Sequence, residues 1–134
     1  MTAPDAERKT LSAMVAHAKA RVESLSPAQL AAELRRGGDV LLVDLRESEE
    51  RSRDGVIPGS VHTPRGMLEL YADPTSQYHR AEFDPSKRVI VYGTSDGRSA
   101  LAADTLQQMG YRSVAQLDGG IEAWKAQGQP TEEL

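Results

Sequence analysis

The chain has 134 residues, a formal net charge of −4 and no cysteine. A chain of this length forms one ordinary domain and buries a core without disulfide or metal staples. The acidic balance argues against a general nucleic-acid binder, because such proteins normally present a basic face. The lack of cysteine excludes disulfides, thiolate metal sites and a cysteine nucleophile.

The apolar segments are short, as at Val40 to Val43 and Val89 to Tyr92, and neither approaches the length of a membrane span. The first nine residues also lack the apolar stretch of a secretory signal. We therefore expect a cytoplasmic protein that binds neither membrane nor nucleic acid.

Residues 1–25 are predicted to form a helical extension, and residues 26–134 a single domain. From about Asp5 to Glu23, apolar residues recur at the spacing of one helical face. These residues are Leu11, Met14, Val15, Ala18 and Val22. Because the face is narrow and rich in alanine, we expect the helix to pack weakly on the domain or on a second subunit. The second arrangement would give a homodimer through this helix.

A second helix is predicted directly after Ser26, since Pro27 suits the first helical position and Gln29 completes a capping box. It ends at Gly37 and Gly38, where glycine readily adopts a left-handed cap.

The remaining predicted elements alternate between strands and helices. Val40 to Val43 and Arg88 to Tyr92 are continuous apolar runs, typical of strands covered on both faces. The others, in chain order, are a short helix at 48–53, a strand at 61–64, a helical turn at 67–71, a loop at 72–86, a helix at 99–109, a strand at 113–117 and a helix around Trp124. This alternation predicts an α/β fold, a central and mostly parallel sheet flanked by helices on both faces.

The segment from Gly93 to Ser99 connects the second buried strand to the helix at 99–109, and we predict that it is the functional site. Ligands bind beyond the carboxyl ends of parallel strands. Successive N–H groups of a small, glycine-containing loop can form an anion nest there. The predicted anion-binding residues are Thr94, Ser95, Asp96, Gly97, Arg98 and Ser99.

Three charged residues bear on this interpretation. Arg98 is a cation where a helix prefers an anion, so we expect a negative group nearby; a plain turn with a solvated arginine fits the spacing equally well. Asp44 and Arg46 follow the carboxyl end of another strand. They either shape the same pocket or form a structural ion pair.

Residues Val89 to Ala100 are similar to the active-site strand and loop of the rhodanese family of sulfurtransferases. Four further stretches match in order, at Leu42–Arg46, Ile57–Ser60, Met109–Tyr111 and Leu117–Trp124. The resemblance runs from about Ser26 to Pro130 and implies a rhodanese-like fold.

The resemblance implies sulfur transfer by a thiolate that this chain lacks. In rhodaneses, a loop cysteine takes the outer sulfur of thiosulfate or a similar donor, becomes a persulfide and passes the sulfur to cyanide or a thiol. The N–H groups of the loop and the helix dipole lower the pKa of that thiol. Counting back five positions from Arg98, where the family carries this cysteine, gives Gly93.

No other side chain replaces the thiol. Thr94 and Ser95 carry hydroxyls, but a hydroxyl nucleophile needs a general base, and persulfide chemistry needs sulfur. The candidate bases, His62, His79 and Asp96, have no spacing that places them beside a hydroxyl. The same lack of a thiol excludes the phosphatases of this fold, which also attack through a loop cysteine.

Two interpretations of Gly93 stay open. In the first, the chain is a catalytically silent module that binds an oxyanion, a sulfur-relay partner or itself. In the second, it is a sulfurtransferase whose active-site cysteine at residue 93 was replaced or not recorded. It departs from the family at Val56, where a histidine is common, and at Asp96, whose carboxylate weakens anion binding. No metal-ligand cluster or nucleotide motif is present, so we expect neither metal nor cofactor.

Overall fold

Strands and helices alternate along the chain in this computed structural model, which describes residues 9–134. The helices are α1 (Leu11–Arg21), α2 (Pro27–Arg36), α3 (Ser48–Asp54), α4 (Leu68–Ala72), α5 (Gly97–Gln108) and α6 (Gly120–Ala126), with a 3-10 helix at Arg65–Met67. The strands are β1 (Glu23–Leu25), β2 (Val40–Asp44), β3 (Val61–His62), β4 (Arg88–Tyr92) and β5 (Ser113–Leu117).

The five strands form one sheet in the order β1-β5-β4-β2-β3, and all their pairings are parallel. β4 lies in the centre, between β2 and β5. Successive side chains of a strand point to opposite faces, so Val89 and Val91 enter one apolar layer and Ile90 and Tyr92 the other. Burial on both faces explains why this run is continuously apolar.

Helices cover both faces of the sheet, which confirms the predicted α/β class. Leu68 of α4 and Leu106 of α5 pack in one layer, whereas Leu30 of α2 and Trp124 of α6 pack in the other. Trp124 is only 2% exposed and is a core residue. No helix between residues 9 and 134 has the length and apolar character of a membrane span.

The N-terminal helix ends earlier than predicted. α1 stops at Arg21, and Glu23 begins the short edge strand β1, which pairs with β5. The helical assignment of Glu23 is therefore wrong. Only Leu25 of the three residues of β1 is buried, so the segment lacks the apolar pattern by which strands are recognised. The predicted helix start at Asp5 lies outside the described residues.

Helix α1 packs on α5, one of the two arrangements expected for it. Ala18 is fully buried. Arg21 donates to both carboxylate oxygens of Asp104, from Nε at 3.0 Å and from Nη2 at 2.6 Å. Leu11 and Met14 remain 68% and 45% exposed, so α1 keeps an apolar surface that the domain does not cover.

A buried ion pair joins Asp44, at the end of β2, to Arg46. Both side chains are 0% exposed, with Arg46 Nη2 2.8 Å from Asp44 Oδ2. That carboxylate oxygen also accepts from Arg51 Nε at 3.0 Å and from the Tyr92 hydroxyl at 2.9 Å. Burial raises the pKa of Asp44, but hydrogen bonds from Arg46 outweigh it and hold the pKa below its ordinary value. Of the two roles expected for this pair, the contacts favour the structural one.

We expect Asp44→Ala to lower the free energy of unfolding by about 3–5 kcal/mol, because it leaves the guanidinium of Arg46 buried without its counter-charge. Urea denaturation at neutral pH measures the change. The control is Asp39→Ala, since Asp39 is 76% exposed and pairs with Lys87 at 3.4 Å; we expect a loss below about 0.5 kcal/mol there. Equal losses in the two variants would contradict this account.

Candidate functional site: the loop from Gly93 to Ser99

The loop lies at the carboxyl end of the central strand. β4 ends at Tyr92, and α5 begins at Gly97, two residues before the predicted start at Ser99. Asp96 at the N-cap already has helical backbone angles, φ −81° and ψ −59°, and its side chain makes no capping bond to α5. The side chain of Asp96 is therefore free to bond other parts of the molecule.

The start of α6 holds the backbone of the loop. The N–H of Ile121 donates to the carbonyl of Gly93 at 2.9 Å, and the N–H of Glu122 donates to that of Thr94 at 3.2 Å. Gly120 has φ +61°, and a Cβ on it would lie 2.5 Å from the Thr94 carbonyl. Residue 120 must therefore be glycine for α6 to approach the loop this closely.

The backbone N–H groups of the loop do not make the kind of contact that its carbonyls make with α6. Among residues 9–134, the backbone N–H groups of residues 94–98 make no hydrogen bond. Ser99 is the first residue after Gly93 whose N–H has a partner in the chain, the carbonyl of Asp96 at 3.0 Å. Unpaired N–H groups at a helix N-terminus favour a negative ligand.

Gly93 is buried, but its backbone does not require glycine. Its φ lies outside the left-handed region that several other glycines of the chain adopt. A Cβ at this position would lie 3.7 Å from the Ser95 carbonyl oxygen and 3.8 Å from Arg98 Cβ, which are ordinary van der Waals distances. The site could therefore hold a small side chain without backbone strain.

Arg98 finds its negative partner within the chain. Its Nη1 and Nη2 donate to the two carboxylate oxygens of Glu50 on α3, at 2.9 and 2.6 Å. The hydroxyl of Thr94 donates to the same carboxylate at 2.8 Å. Sequence reasoning predicted a negative group near Arg98 but did not identify Glu50, because nothing local links α3 to the loop.

The candidate nucleophiles and bases are not brought together. Thr94 bonds Glu50, whose pKa falls from 4.5 to about 2, mainly through its hydrogen bonds from Arg98; so acidic a carboxyl is a poor general base. His62 and His79 each bond a backbone carbonyl outside the loop, at 2.7 and 3.0 Å. Asp96 accepts from the N–H of Gly119 at 2.7 Å and from Lys19 at 3.0 Å.

The two serines of the loop differ. Ser95 is exposed. Ser99 is buried, and its hydroxyl oxygen lies 2.6 Å from the side-chain oxygen of Gln116 and 2.8 Å from the Asp96 carbonyl. Ser99 was predicted to bind an anion, but its N–H and hydroxyl both have partners inside the chain.

The Glu50–Arg98 pair predicts a specific pH dependence. Because the pKa of Glu50 is depressed to about 2 in the folded chain, the pair stabilises the fold fully above pH 4.5 and is lost as the pH falls toward about 2. We expect Glu50→Gln to be less stable than the original at pH 7, with the difference vanishing near pH 2. Denaturant unfolding across this range measures it.

Glu49→Gln, exposed on the same helix, is the control and should follow the original chain at every pH. A stability difference for Glu50→Gln that stays constant from pH 7 to about 2 would show that the ion pair does not act as described.

Comparison with known proteins places this geometry in a family. The sequence model of the rhodanese-like domain family matches residues 26–127. A sulfurtransferase from Allochromatium vinosum is 35% identical over 92 residues, which cover 69% of this chain and 78% of that protein.

Two solved structures share the fold. A protein of unknown function from Rhodopseudomonas palustris, described as a possible tyrosine phosphatase, has a TM-score of 0.89 and 42% identity, covering 92% of this chain and 95% of its own. The polysulfide-sulfur transferase homodimer from Wolinella succinogenes has a TM-score of 0.74 and 30% identity, covering 91% and 86%. With its glycine-bearing loop at the end of β4 and a match from residue 26 to residue 127, the chain belongs to the rhodanese-like domain family.

Proposed function

We propose that this chain is a rhodanese-like domain that binds a small oxyanion at the loop and does not transfer sulfur. The observation that carries the proposal is that the N–H groups of residues 94–98 have no partner within residues 9–134, beside a residue 93 that has no nucleophile. The ligand class is sulfate, thiosulfate or phosphate, since each offers several acceptor oxygens to converging donors.

Backbone donors supply this binding, because the side-chain charges of the loop are already paired. Arg98 is neutralised by Glu50, and Asp96 is bonded to Lys19. The guanidinium therefore adds little attraction, and the Asp96 carboxylate opposes an anion only in part. We expect weak binding, governed by the orientation of the amides rather than by net charge.

The absence of sulfur transfer follows from the missing thiol. Losing the nucleophile lowers turnover by roughly a millionfold in a well-studied hydrolase, and a persulfide cannot form without a cysteine thiol. The same argument applies to phosphate-ester hydrolysis, which the description of the R. palustris protein suggests for that protein. Thr94 cannot replace the thiol, since its hydroxyl faces a carboxylate too acidic to accept the proton.

The relatives support a partner in sulfur metabolism. The A. vinosum protein is named a sulfurtransferase, and the W. succinogenes protein a polysulfide-sulfur transferase homodimer. We include in the proposal a sulfur-relay protein that presents a sulfur oxyanion or persulfide to the loop. A homodimer through α1 stays a prediction, for which Leu11 and Met14 provide exposed apolar surface.

Titration with sulfate, thiosulfate or phosphate should shift the amide resonances of residues 94–98 before any others, because their N–H groups have no acceptor among residues 9–134. Two-dimensional ¹H–¹⁵N NMR at constant ionic strength measures this, with chloride as the control salt. Loop amides that stay still while distant arginines and lysines respond would overturn the proposal.

A second candidate function is sulfur transfer by a form of this chain with cysteine at residue 93. It is favoured by the ordinary contacts that a Cβ would make there and by the absence of a left-handed backbone. The codon for residue 93 in the source genome decides between a native glycine and a replaced cysteine.

We expect the chain as given to form no thiocyanate from thiosulfate and cyanide, and Gly93→Cys to form it. The new thiolate would attack the outer sulfur of thiosulfate and release sulfite, and cyanide would then remove that sulfur as thiocyanate and restore the thiolate. The unpaired amides and the start of α5 would lower the pKa of the thiol. Thiocyanate formation and a mass increase of one sulfur atom measure the outcome.

Ser95→Cys is the matched control, since it places a thiol in the same loop at an exposed position, and we expect no thiocyanate from it. Activity in the unaltered chain would contradict the proposed function. A folded Gly93→Cys protein without a persulfide would show that the site has lost more than its nucleophile.

A further inference from the structure

Helix α1 lies outside the residues that match the family, yet it reaches the loop. Lys19 Nζ is 3.0 Å from Asp96 Oδ2 and 3.5 Å from Asp118 Oδ1. The other oxygen of Asp96 accepts the N–H of Gly119 at 2.7 Å. One carboxylate of the loop is thus shared between α1 and the turn that precedes α6.

The contacts of Asp96 lead through the start of α6 back to the loop. The carboxylate of Asp96 accepts the N–H of Gly119, and α6 begins at the next residue. Two N–H groups in the first turn of α6 then donate to the carbonyls of Gly93 and Thr94. On the other side, Val15 of α1 lies against Gly97, where a Cβ would be 3.9 Å from Val15 Cγ2. The conformation of the loop is therefore tied to α1 as well as to α6.

We propose that Lys19 is a positioning residue of the loop, which makes the N-terminal helix part of the anion site. This inference rests on the oxyanion binding proposed above. Lys19 offsets the negative charge of Asp96, the one acidic residue among residues 94–98. It also holds that carboxylate on Gly119, so that the amides of residues 94–98 keep one arrangement.

The charges around Asp96 support this role. Burial raises the pKa of Asp96, but the N–H of Gly119 and the ammonium of Lys19 outweigh burial, and the pKa lies below its ordinary value. The pKa of Lys19 is raised, mainly by its hydrogen bond to Asp96. Asp96 therefore stays ionised, and without Lys19 its charge would repel an incoming anion.

The chain offers a matched control for a simple anchoring role. Arg21, also on α1, makes a bidentate ion pair with Asp104 on α5. Among the described residues, its side chain makes no contact with the loop. If Lys19 only anchored α1, then Lys19→Met and Arg21→Met would have similar effects on every property of the loop.

The experiment compares these two variants in the full chain by sulfate titration. We expect Lys19→Met to weaken sulfate binding by roughly 3- to 10-fold, the effect of exposing one partly screened charge a few ångströms away. Arg21→Met should bind sulfate as the original does, and Lys19→Arg should restore binding. In Asp96→Asn, adding Lys19→Met should weaken binding less than it does in the original chain, because only the direct attraction of the ammonium is then lost.

A second measurement does not depend on anion binding. In the Gly93→Cys background, Lys19→Met should raise the midpoint of pH-dependent alkylation by roughly 0.5–1 pH unit, and Arg21→Met should not. It should also speed hydrogen exchange at the Gly119 amide. If the original chain binds no sulfate, the proposed function fails, while alkylation and exchange still test Lys19. Equal effects of the two variants on all three readouts would overturn the inference.

Discussion

The hydrogen bonds from the start of α6 to the carbonyls of Gly93 and Thr94 are the constraint on which the candidate site depends. They use the carbonyls of these two residues, whereas the N–H groups of residues 94–98 have no partner in the part of the chain that the structure describes. They require α6 to approach so closely that residue 120 has no room for a side chain. Because β4 is the central strand of the sheet and its residues 89–92 are fully buried, this arrangement rests on the core of the fold.

The side-chain charges of the loop are balanced from elements distant in sequence. Glu50 of α3 neutralises Arg98, and Lys19 of α1 offsets Asp96. The result is a nearly neutral loop whose remaining polarity comes from backbone N–H groups. Backbone N–H groups of this kind stabilise the sulfur of a thiolate in sulfur transfer, and the proposed oxyanion binding would use the same groups without a cysteine.

The local pattern of the sequence was sufficient to predict the parallel sheet, the buried strand at Arg88–Tyr92 and the loop after it. Continuous apolar runs and capped helices are local signals, and the resemblance located residue 93. The charge partners could not be predicted in this way, since Glu50 lies 48 residues from Arg98 and Lys19 lies 77 residues from Asp96. Strand β1 was not predicted, for a related reason. Its pairing with β5 makes it a strand, whereas its own composition does not indicate one.

The most direct measurement is a crystal structure of the unaltered protein grown with selenate, whose anomalous scattering identifies the anion. We expect selenate within hydrogen-bonding distance of the amides of residues 94–98, with Glu50 still paired to Arg98 and Lys19 still paired to Asp96. An empty loop, with selenate bound only to exposed arginine or lysine side chains elsewhere, would contradict it.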